Sequence, residues 1–435
     1  MLLESNAVIT VEIINIILSL IVMIIFCMQG IHTVVTLFTR KKKYSDAKVN
    51  HKYGYIICAR NEENVIGNLI DSIYSQDYPR ELMNVFVCAD NCTDSTASVA
   101  EQHNAKVFTH FNNTKKGKCY ALDYVIKEIL KTEEAKDIEA YFIFDADNLV
   151  SKEFTKEMNK LYDSGAKVAT GLRDTKNFNQ SLTSACSGLM FLRENLIIHH
   201  SRSLLGLSTY VAGTGFYVSS DIIKELNGWP FYSIIEDIDF SCYCAKNNIR
   251  IHFNESAIFY DEQPTRLKDV NTQHLRWVKG TYQCGHKYSH DLLKNTFFKK
   301  HIGFKNRLSS YEMAIHVSPM LVVATTITIS YFLAHLIMFL NGIETGYYFT
   351  HIFLLRFSIA IISILTGSFF NGLIPMLKHH KNINASLYKK MMSVILFTPF
   401  VIMYIPIYYI ALFKRNVKWV PIKHIDTSTI NDINK

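Results

Sequence analysis

Two nucleotide-binding loops that are common in α/β enzymes are missing from this 435-residue sequence. There is no GxGxxG fingerprint and no GxxxxGK[ST] pattern, so neither a dinucleotide-binding fold nor a P-loop NTPase is supported. The nine cysteines form no paired CxxC framework, which argues against structural zinc and favours free thiols in a reducing cytosol. A basic face with interleaved aromatic residues is also missing, so we expect no nucleic acid partner.

The apolar residues, 49% of the chain, are concentrated in two regions. The first run extends from Val8 to Phe38 and is followed by the basic block Arg40–Lys43. It is long enough to cross a bilayer, and no basic segment precedes it. We therefore expect an uncleaved anchor whose basic end is cytoplasmic. Three further apolar runs follow, at about 313–340, 349–376 and 391–413.

These runs divide the chain into five parts. We predict a transmembrane anchor at 1–43, a cytosolic globular domain at 44–285, an amphipathic interfacial helix region at 286–312, a transmembrane region at 313–413 and a basic tail at 414–435. The net charge of +8 gathers near the membrane-flanking segments, which favours contact with anionic headgroups. We expect a multi-pass protein of the cell membrane, with the lipid bilayer as a partner.

The sequence does not fix the side of the membrane on which the tail lies. The loop Asn341–Tyr348 has no Lys or Arg and should face outside, while Lys378 puts the next loop inside. Strict alternation would then place Lys414–Lys423 outside, against the positive-inside rule. Either the last apolar run, which contains Pro399 and Pro406, does not cross fully, or the tail is an exception.

Residues 44–285 alternate short apolar runs with helical patterns. The strand candidates are Tyr53–Ala59, Asn84–Ala89, Lys106–Thr109 and the start of Tyr141–Val150. Each of the first three is followed by a helical segment. This alternation predicts βαβ units and a mostly parallel, Rossmann-like α/β sheet.

Two aspartates one residue apart, Asp145 and Asp147, follow the fourth of these strands. Alternate strand residues point the same way, so both carboxylates can converge at the carboxyl edge, where open α/β sheets bind their ligands. Two hard oxygen donors there suit Mg²⁺ or Mn²⁺ carrying a phosphorylated substrate. Taken alone, the pattern is more often an Asp/Asn turn than a metal site.

Three later motifs also place reactive or small residues together. Gly213-Thr214-Gly215 suggests close backbone approach to a ligand or another strand. Glu236–Asp237 opens a helix, where acidic residues also suit the helix dipole. Gln273, Arg276 and Trp277 share one helix face, from which Arg can bind phosphate and Trp can stack on a sugar. A helix resting on the membrane surface would also carry a snorkelling Arg.

In their order along the chain, these motifs resemble the family 2 inverting glycosyltransferases. The residues that carry the resemblance are Cys58–Glu62, Asp90, Lys115–Lys118, Asp145-Ala146-Asp147, Gly213–Gly215, Glu236–Asp237 and Gln273-x-x-Arg276-Trp277. They look most like the membrane-embedded cellulose, hyaluronan, chitin-oligosaccharide and poly-N-acetylglucosamine synthases, which implies a GT-A fold. The first motif reads Cys-Ala-Arg-Asn-Glu where many relatives have Pro-x-Tyr-Asn-Glu, so donor specificity cannot be carried over.

The resemblance implies a role for each motif. The donor-binding residues would be Ala59, Arg60, Glu62, Asp90, Lys118, Asp145 and Arg276. Asp147, with Asp145, would hold Mg²⁺ or Mn²⁺ on the diphosphate, and Asp237, beside Glu236, would be the general base. The acceptor-binding residues would be Gly213, Thr214, Gly215, Gln273 and Trp277.

Sugar transfer needs a carboxylate that takes the proton of the attacking hydroxyl and cations that offset the charge of the leaving group. Inversion would turn an α-linked donor, UDP-glucose or UDP-N-acetylglucosamine, into a β-linkage. The resemblance favours a processive polysaccharide synthase that secretes its product through its own membrane helices. The alternative is a single-addition enzyme that glycosylates a membrane lipid, similar to ceramide glucosyltransferases. A non-catalytic subunit is disfavoured because every acidic position is intact.

Overall fold

The computed structural model describes residues 6–115, 117–299, 301–346, 348–415, 417, 424 and 426–433. Within these residues a mixed sheet is flanked by helices, and long apolar helices extend from it. The strands are β1 Tyr53–Ala59, β2 Met83–Asp90, β3 Lys106–His110, β4 Ala140–Asp145, β5 Leu149–Val150, β6 Val168–Thr175, β7 Phe216–Ser219 and β8 Ile251–Asp261.

The helices occupy three regions: before the sheet, between its strands and after it. They are α1 Asn6–Phe38, α2 Ile66–Tyr74, α3 Thr96–Gln102, α4 Lys118–Ile129, α5 Phe154–Asp163, α6 Leu182–Arg193, α7 His200–Leu205, α8 Ser220–Leu226, α9 Glu236–Lys246, α10 Leu267–Phe297, α11 Phe304–His316, α12 Met320–Leu340, α13 Leu354–His379, α14 Leu387–Ile402, α15 Ile405–Phe413 and α16 Ile430–Ile433. Two π-helical turns, Glu194–His199 and Tyr348–Phe353, precede α7 and α13.

The strand order of the sheet is β3-β2-β1-β4-β7-β6-β8-β5. Strands β1 to β4 are joined by parallel pairings, whereas β7 runs antiparallel to both β4 and β6. The predicted mostly parallel α/β sheet is confirmed, and each of the four predicted strands coincides with an observed one. Because parallel strands end at one edge, Ala59, Asp90 and Asp145 come together there.

Apolar helices cover both faces of the sheet. Phe142 and Phe144 of β4 pack in the layer that includes Ile66 of α2, while Ile143 packs in the opposite layer with Leu122 of α4. This is the two-residue alternation of a strand. It directs Asp145, at the end of β4, toward the α4 layer.

A glycine lets the chain pass between β4 and β6 just before β7. Gly215 has φ +67°, and a Cβ on it would lie 2.1 Å from the ring of Phe259. Its N–H donates to the Ile143 carbonyl at 2.9 Å, and its own carbonyl accepts from Gly171 at 3.0 Å. The predicted close backbone approach to another strand is therefore confirmed for this residue.

Helix α10 runs without a break from Leu267 to Phe297, so the predicted boundary between residues 285 and 286 falls inside a helix, while the interfacial position of 286–312 stays a prediction. Its buried side chains, including Tyr288 and Leu292, pack with Met313 of α11. The mixed composition of this stretch comes from the end of one helix and the start of another, packed side by side.

Four helical segments among the described residues are long and apolar enough to cross a membrane. They are Asn6–Phe38, Met320–Leu340, Phe349–His379 and Leu387–Phe413. The second predicted apolar run, 313–340, therefore begins as a candidate span at Met320 and not at residue 313, because α11 continues to His316. Within the most apolar stretch of each segment, the buried share of the residues is 6% for Asn6–Phe38, 11% for Met320–Leu340, 0% for Phe349–His379 and 39% for Leu387–Phe413.

The last of these segments differs from the others because it consists of two helices, α14 and α15. Phe397 of α14 packs with Leu189 of α6. Helix α10 contacts α15 and the residue before it. Lys279 of α10 donates to the Ala411 carbonyl at 3.1 Å, and the ring of His274 stacks on that of Tyr404, with 3.7 Å between the ring centroids. This segment thus lies against helices of the sheet domain, which accounts for its higher burial.

We expect Gly215→Ala to destabilise the protein. The positive φ disfavours a side chain, and the added carbon would overlap the Phe259 ring, so the free energy of unfolding should fall by about 2–4 kcal/mol. The thermal unfolding midpoint of the full chain in detergent measures this effect. Gly303→Ala is the control, since nothing lies within 4 Å of its Cβ position and its φ is −61°. Equal midpoints for the two variants would contradict the prediction.

Candidate active site

A cavity of about 960 Å³ opens at the carboxyl edge of β1, β2 and β4. Its walls contain Ala59, Arg60, Glu62, Asp90, Lys118, Asp145, Asp147, Gly213, Glu236, Asp237, Gln273, Arg276 and Trp277. The lining also includes Ile25 and Phe26 of α1 and Met320 and Leu321 of α12. The cavity therefore connects a polar sheet edge with two of the apolar helices.

The ends of β1 and β2 hold two acidic groups on the cavity. Asp90 is 5% exposed and accepts hydrogen bonds from His110 Nδ1 at 2.8 Å and Asn91 Nδ2 at 2.7 Å. Glu62 follows β1, and its N–H donates to Thr96 Oγ1 at 2.9 Å. Fixed carboxylates of this kind can accept hydrogen bonds from the hydroxyl and N–H groups of a nucleoside.

Lys118, the first residue of α4, joins three parts of the site. Its ammonium contacts the carboxylate of Asp145, donates to the Gly213 carbonyl at 2.6 Å and lies 3.9 Å from Glu236. Burial by itself would lower the pKa of Lys118, but the charges of Asp145 and Glu236 outweigh burial and raise it. Lys118 therefore stays charged and holds together β4, α9 and the glycine loop, Gly213–Gly215.

The two aspartates of the DxD motif, Asp145 and Asp147, have different hydrogen-bond partners. Asp145 faces Lys118, whereas Asp147 is 3% exposed and accepts the N–H of Glu262 at 3.2 Å. Strand β4 ends at Asp145, so the alternation that predicted convergence does not extend to Asp147. Both side chains still line the cavity.

The carboxylates fit a divalent cation that takes part of its ligands from a substrate. Among the described residues, no group of three or more His, Cys, Asp or Glu side chains is arranged to hold a metal ion. Asp145 and Asp147 would supply oxygen ligands, and phosphate or water oxygens would complete the coordination. One or two carboxylates with substrate phosphates is a usual environment of Mg²⁺.

Helix α9 begins with Glu236–Asp237, and contacts with α10 fix its position. Asp239, one turn into α9, accepts a hydrogen bond from the Tyr288 hydroxyl at 2.7 Å. Gly280 of α10 allows the side chain of Ile235 to pack directly on the helix, because a Cβ there would lie 2.5 Å away. The acidic pair is therefore held at the cavity by a rigid helix pair.

Both carboxyl groups of the pair have a raised pKa. Burial raises the pKa of Glu236 to about 7; Lys118 opposes this shift and Asp237 adds to it. Burial also raises the pKa of Asp237, while the N–H of Ile238 and the charges of Lys118 and Arg276 oppose it. A buried carboxylate with a raised pKa at a cavity is suited to take a proton from a hydroxyl.

Of the three residues in the glycine loop, Gly213 alone lines the cavity. A Cβ on Gly213 would lie 3.6 Å from Asp237 Oδ2, so the absent side chain leaves that carboxylate accessible. Thr214 is 1% exposed, accepts the N–H of Asp145 at 3.0 Å and contacts the Asn148 side chain. Thr214 and Gly215 do not line the cavity but support the Asp145–Asp147 turn, and their predicted acceptor contacts stay a prediction.

One face of α10 brings Gln273, Arg276 and Trp277 to the cavity, as their spacing predicts. Trp277 packs edge-on against Phe191, with 5.9 Å between the ring centroids. Within the part of the chain that the structure describes, Arg276 forms no hydrogen bond or ion pair. Its guanidinium is thus available to an anionic group in the cavity.

Sequence reasoning missed a buried ion pair beside the DxD turn. Arg173 donates through Nε to Asp261 Oδ2 at 2.9 Å, and Asp261 also accepts from Asn148 Nδ2 at 2.8 Å. Burial raises the pKa of Asp261 to about 6; Arg173 opposes the shift and Asp147 adds to it. The two partners are 88 residues apart on β6 and β8, so no local motif indicated the pair.

A second missed group is His424, which follows the last apolar helix. Its Nδ1 lies 3.0 Å from Glu62 Oε1, and its Nε2 lies 3.9 Å from Asp147 Oδ2. Nearby, the N–H of Asp426 donates to Glu262 Oε2 at 3.2 Å. The described C-terminal residues therefore contact the sheet domain, and His424 lies at the cavity between Glu62, a predicted donor-binding residue, and Asp147, a predicted metal ligand.

Comparison with known proteins identifies the family. A family model described as "Glycosyltransferase like family 2" matches residues 51–280, more than half of the chain. The chain belongs to glycosyltransferase family 2. The match contains every motif that carries the resemblance, and the predicted family membership is confirmed.

The transferase is similar to one solved structure over most of its length. The mannosyltransferase PcManGT from Pyrobaculum calidifontis, in complex with GDP-mannose and Mn²⁺, superimposes with a TM-score of 0.55 at 16% identity, covering 89% of this chain and 98% of that one. At this identity the similarity establishes the fold, which agrees with the predicted GT-A architecture.

Two curated relatives match the transferase more closely in sequence. The probable glycosyltransferase YdaM of Bacillus subtilis is 24% identical over 265 residues, 59% of this chain and 61% of that protein. The β-monoglucosyldiacylglycerol synthase of Synechocystis is 26% identical over 245 residues, 52% of this chain and 47% of that protein. This chain thus spans about half to three fifths of the length of these relatives.

We expect Asp147→Asn to weaken nucleotide binding in the presence of Mn²⁺ by roughly tenfold or more, because an amide replaces a charged oxygen ligand. Isothermal titration of the full chain with UDP, with Mn²⁺ and with EDTA, measures the effect. In EDTA, Asp147→Asn and wild type should bind equally. Asp221→Asn, on the exposed surface, is the control, and identical Mn²⁺-dependent affinities for both variants would contradict the prediction.

The transfer rate should fall as the pH is lowered through about 7, because Glu236 then gains a proton and the acidic pair loses charge beside Lys118. Glu236→Gln should move this acid limb to lower pH, since removal of the neighbouring carboxylate lowers the pKa of Asp237. Initial rates from about pH 5 to pH 9 provide the measurement. An unchanged acid limb in the variant would argue against this coupling.

Proposed function

We propose that this transferase is an inverting enzyme that moves a hexosyl group from a UDP-sugar to a hydroxyl of a membrane lipid. The observation that supports it most directly is the single cavity that connects Asp237 with apolar side chains of α1 and α12. A lipid can place its hydroxyl beside Asp237 while its acyl chains remain against these helices. UDP-glucose and UDP-N-acetylglucosamine are the expected donors.

Asp237 acts as the general base in this proposal. Its Oδ2 borders the open space left by Gly213, where an acceptor hydroxyl can reach it. As the acceptor oxygen attacks the anomeric carbon, its proton moves to Asp237 and the bond from the sugar to UDP breaks on the opposite face. An α-linked donor thus gives a β-glycoside, and no covalent enzyme intermediate forms.

The departing UDP needs positive charge around its diphosphate. Arg276 has no partner among the described residues, and its planar guanidinium can bind two phosphate oxygens. Asp145 and Asp147 would hold Mg²⁺ or Mn²⁺, which neutralises diphosphate charge when bound. Asp90 and Glu62 would orient the uridine from the ends of β1 and β2.

The structure favours the lipid acceptor over the polysaccharide, which reverses the order of the sequence-based hypotheses. A polymer needs an enclosed path, yet three candidate spans bury only 6%, 11% and 0% of the residues in their most apolar stretches. Such exposed helices leave lateral access from the bilayer. The relatives named as β-monoglucosyldiacylglycerol synthases also favour a lipid. Polysaccharide synthesis stays the second candidate because Gln273, Arg276 and Trp277 line the cavity.

The arrangement of α14 and α15 supports a cytosolic catalytic domain in the cell membrane with the C-terminal segment on the same side. The segment Leu387–Phe413 packs on the sheet domain and would lie at the membrane surface, while α12 and α13 cross as a pair. Lys414 and Arg415 then stay inside, as the positive-inside rule requires. The other basic tail residues of the prediction, Lys418 and Lys423, lie outside the described residues.

Membranes containing the full chain, incubated with radiolabelled UDP-glucose or UDP-N-acetylglucosamine, should yield label that extracts completely into organic solvent. The reason is that a single sugar on a diacyl lipid leaves the product soluble in organic solvent. Membranes without the protein are the control. Label that stays in water as material of high molecular mass would contradict the lipid proposal and favour the polysaccharide synthase.

We expect Asp237→Asn to lower the transfer rate by roughly a hundredfold or more while UDP affinity changes by less than about threefold, because the amide cannot accept the proton. Rates with the labelled donor and titration with UDP give the two values. Asp221→Asn should transfer like wild type. Normal turnover in Asp237→Asn would remove this residue from the role of base.

A further inference from the structure

Three basic side chains converge beside the C-terminal end of α7, and none of them lines the transferase cavity. Lys42 Nζ donates to the Ser203 carbonyl at 3.1 Å. Lys305 Nζ lies 2.7 Å from the position of a Cβ on Gly206, three residues further along. Arg250 directly precedes β8, which packs beside this turn through the Thr209 N–H donating to the Ile251 carbonyl at 3.0 Å.

No carboxylate balances this cluster among the described residues. Arg250 and Lys305 form no ion pair there, and Arg250 Nε is a buried donor without a hydrogen-bond partner. Burial lowers the pKa of Lys42, and the charges of Arg250 and Lys305 lower it further. The three groups are therefore close enough to repel one another.

The carbonyl groups at the end of α7 offset only part of this charge. A helix C-terminus carries the equivalent of about half a negative charge, whereas the cluster contains three cations. Leaving a buried guanidinium donor unpaired has a free-energy cost that an anion in the cluster would remove. The nearby His252 supplies no negative charge, since its pKa is lowered to about 4 by burial, Arg250 and Lys42 and its ring is neutral at pH 7.

The surroundings of the cluster indicate where such an anion comes from. Lys42 lies within the basic block that follows α1, the longest candidate span, and Lys305 lies in the first turn of α11. Phe38, at the end of α1, is 84% exposed, and Phe304, beside Lys305, is 74% exposed. Exposed apolar rings next to basic groups fit the boundary between headgroups and acyl chains, where interfacial helices place Phe beside Lys and Arg.

We propose that Lys42, Arg250 and Lys305 form a binding site for the phosphate of an anionic phospholipid headgroup. The guanidinium of Arg250 binds two phosphate oxygens, and the two ammonium groups contribute charge from either side. Phe38 and Phe304 rest at the level of the headgroups. The lipid bound here is distinct from the acceptor, and it fixes the sheet domain against the membrane surface beside α1.

Thermal unfolding of the full chain in a neutral detergent tests the proposal. Short-chain phosphatidylglycerol should raise the midpoint saturably by about 3 °C, while phosphatidylcholine should have no effect. Inorganic phosphate at the same concentration should raise it less, since it lacks the apolar part of the lipid. An equal shift with phosphate would assign the site to a free anion and overturn the lipid assignment.

Two variants locate the effect. Lys305→Gln changes an exposed side chain that the fold does not need, and it should weaken phosphatidylglycerol binding about fivefold. Arg250→Gln should abolish the rise of the unfolding midpoint with phosphatidylglycerol. Lys381→Gln, an exposed lysine after α13, is the control and should keep the full shift. Wild-type phosphatidylglycerol affinity in both Lys305→Gln and Arg250→Gln would overturn the proposal.

Discussion

The arrangement of the site depends on the buried ammonium group of Lys118. Without this cation, Asp145 and Glu236 would face each other as uncompensated carboxylates in a desolvated space, where like charges repel strongly. Its hydrogen bond to Gly213 also holds the glycine loop open beside Asp237. One cation thus sets the relative positions of three elements that are far apart in sequence: β4, the loop Gly213–Gly215 and helix α9.

Local patterns in the sequence were sufficient to predict the parallel strands and the edge of the sheet at which the cavity lies. They also predicted the helix face that carries Gln273, Arg276 and Trp277. These features follow from periodicity within a single element. The different partners of Asp145 and Asp147 and the burial of Thr214 were not predicted, since each depends on where a strand ends and which strand it meets. Arg173 and Asp261 were missed because only the register of β6 and β8 brings them together.

The apolar helices complete the site instead of only anchoring it. The cavity reaches from the sheet edge to Phe26 of α1 and Met320 of α12, so part of its wall belongs to helices that are long and apolar enough to cross a membrane. The last apolar segment packs against the sheet domain through Phe397, and the chain then returns to the cavity at His424. Sequence composition predicted the apolar runs, but their different burial became visible only in the packing.

The proposed reaction is a direct displacement at the anomeric carbon, with Asp237 as the base and no enzyme-bound sugar. The most direct test is the anomeric configuration of the first product formed from an α-linked UDP-sugar, read from the proton coupling constant of the transferred sugar by NMR. Direct displacement gives a β-glycoside, whichever acceptor is used. An α-glycoside as the first product would contradict it, because retention requires a different mechanism.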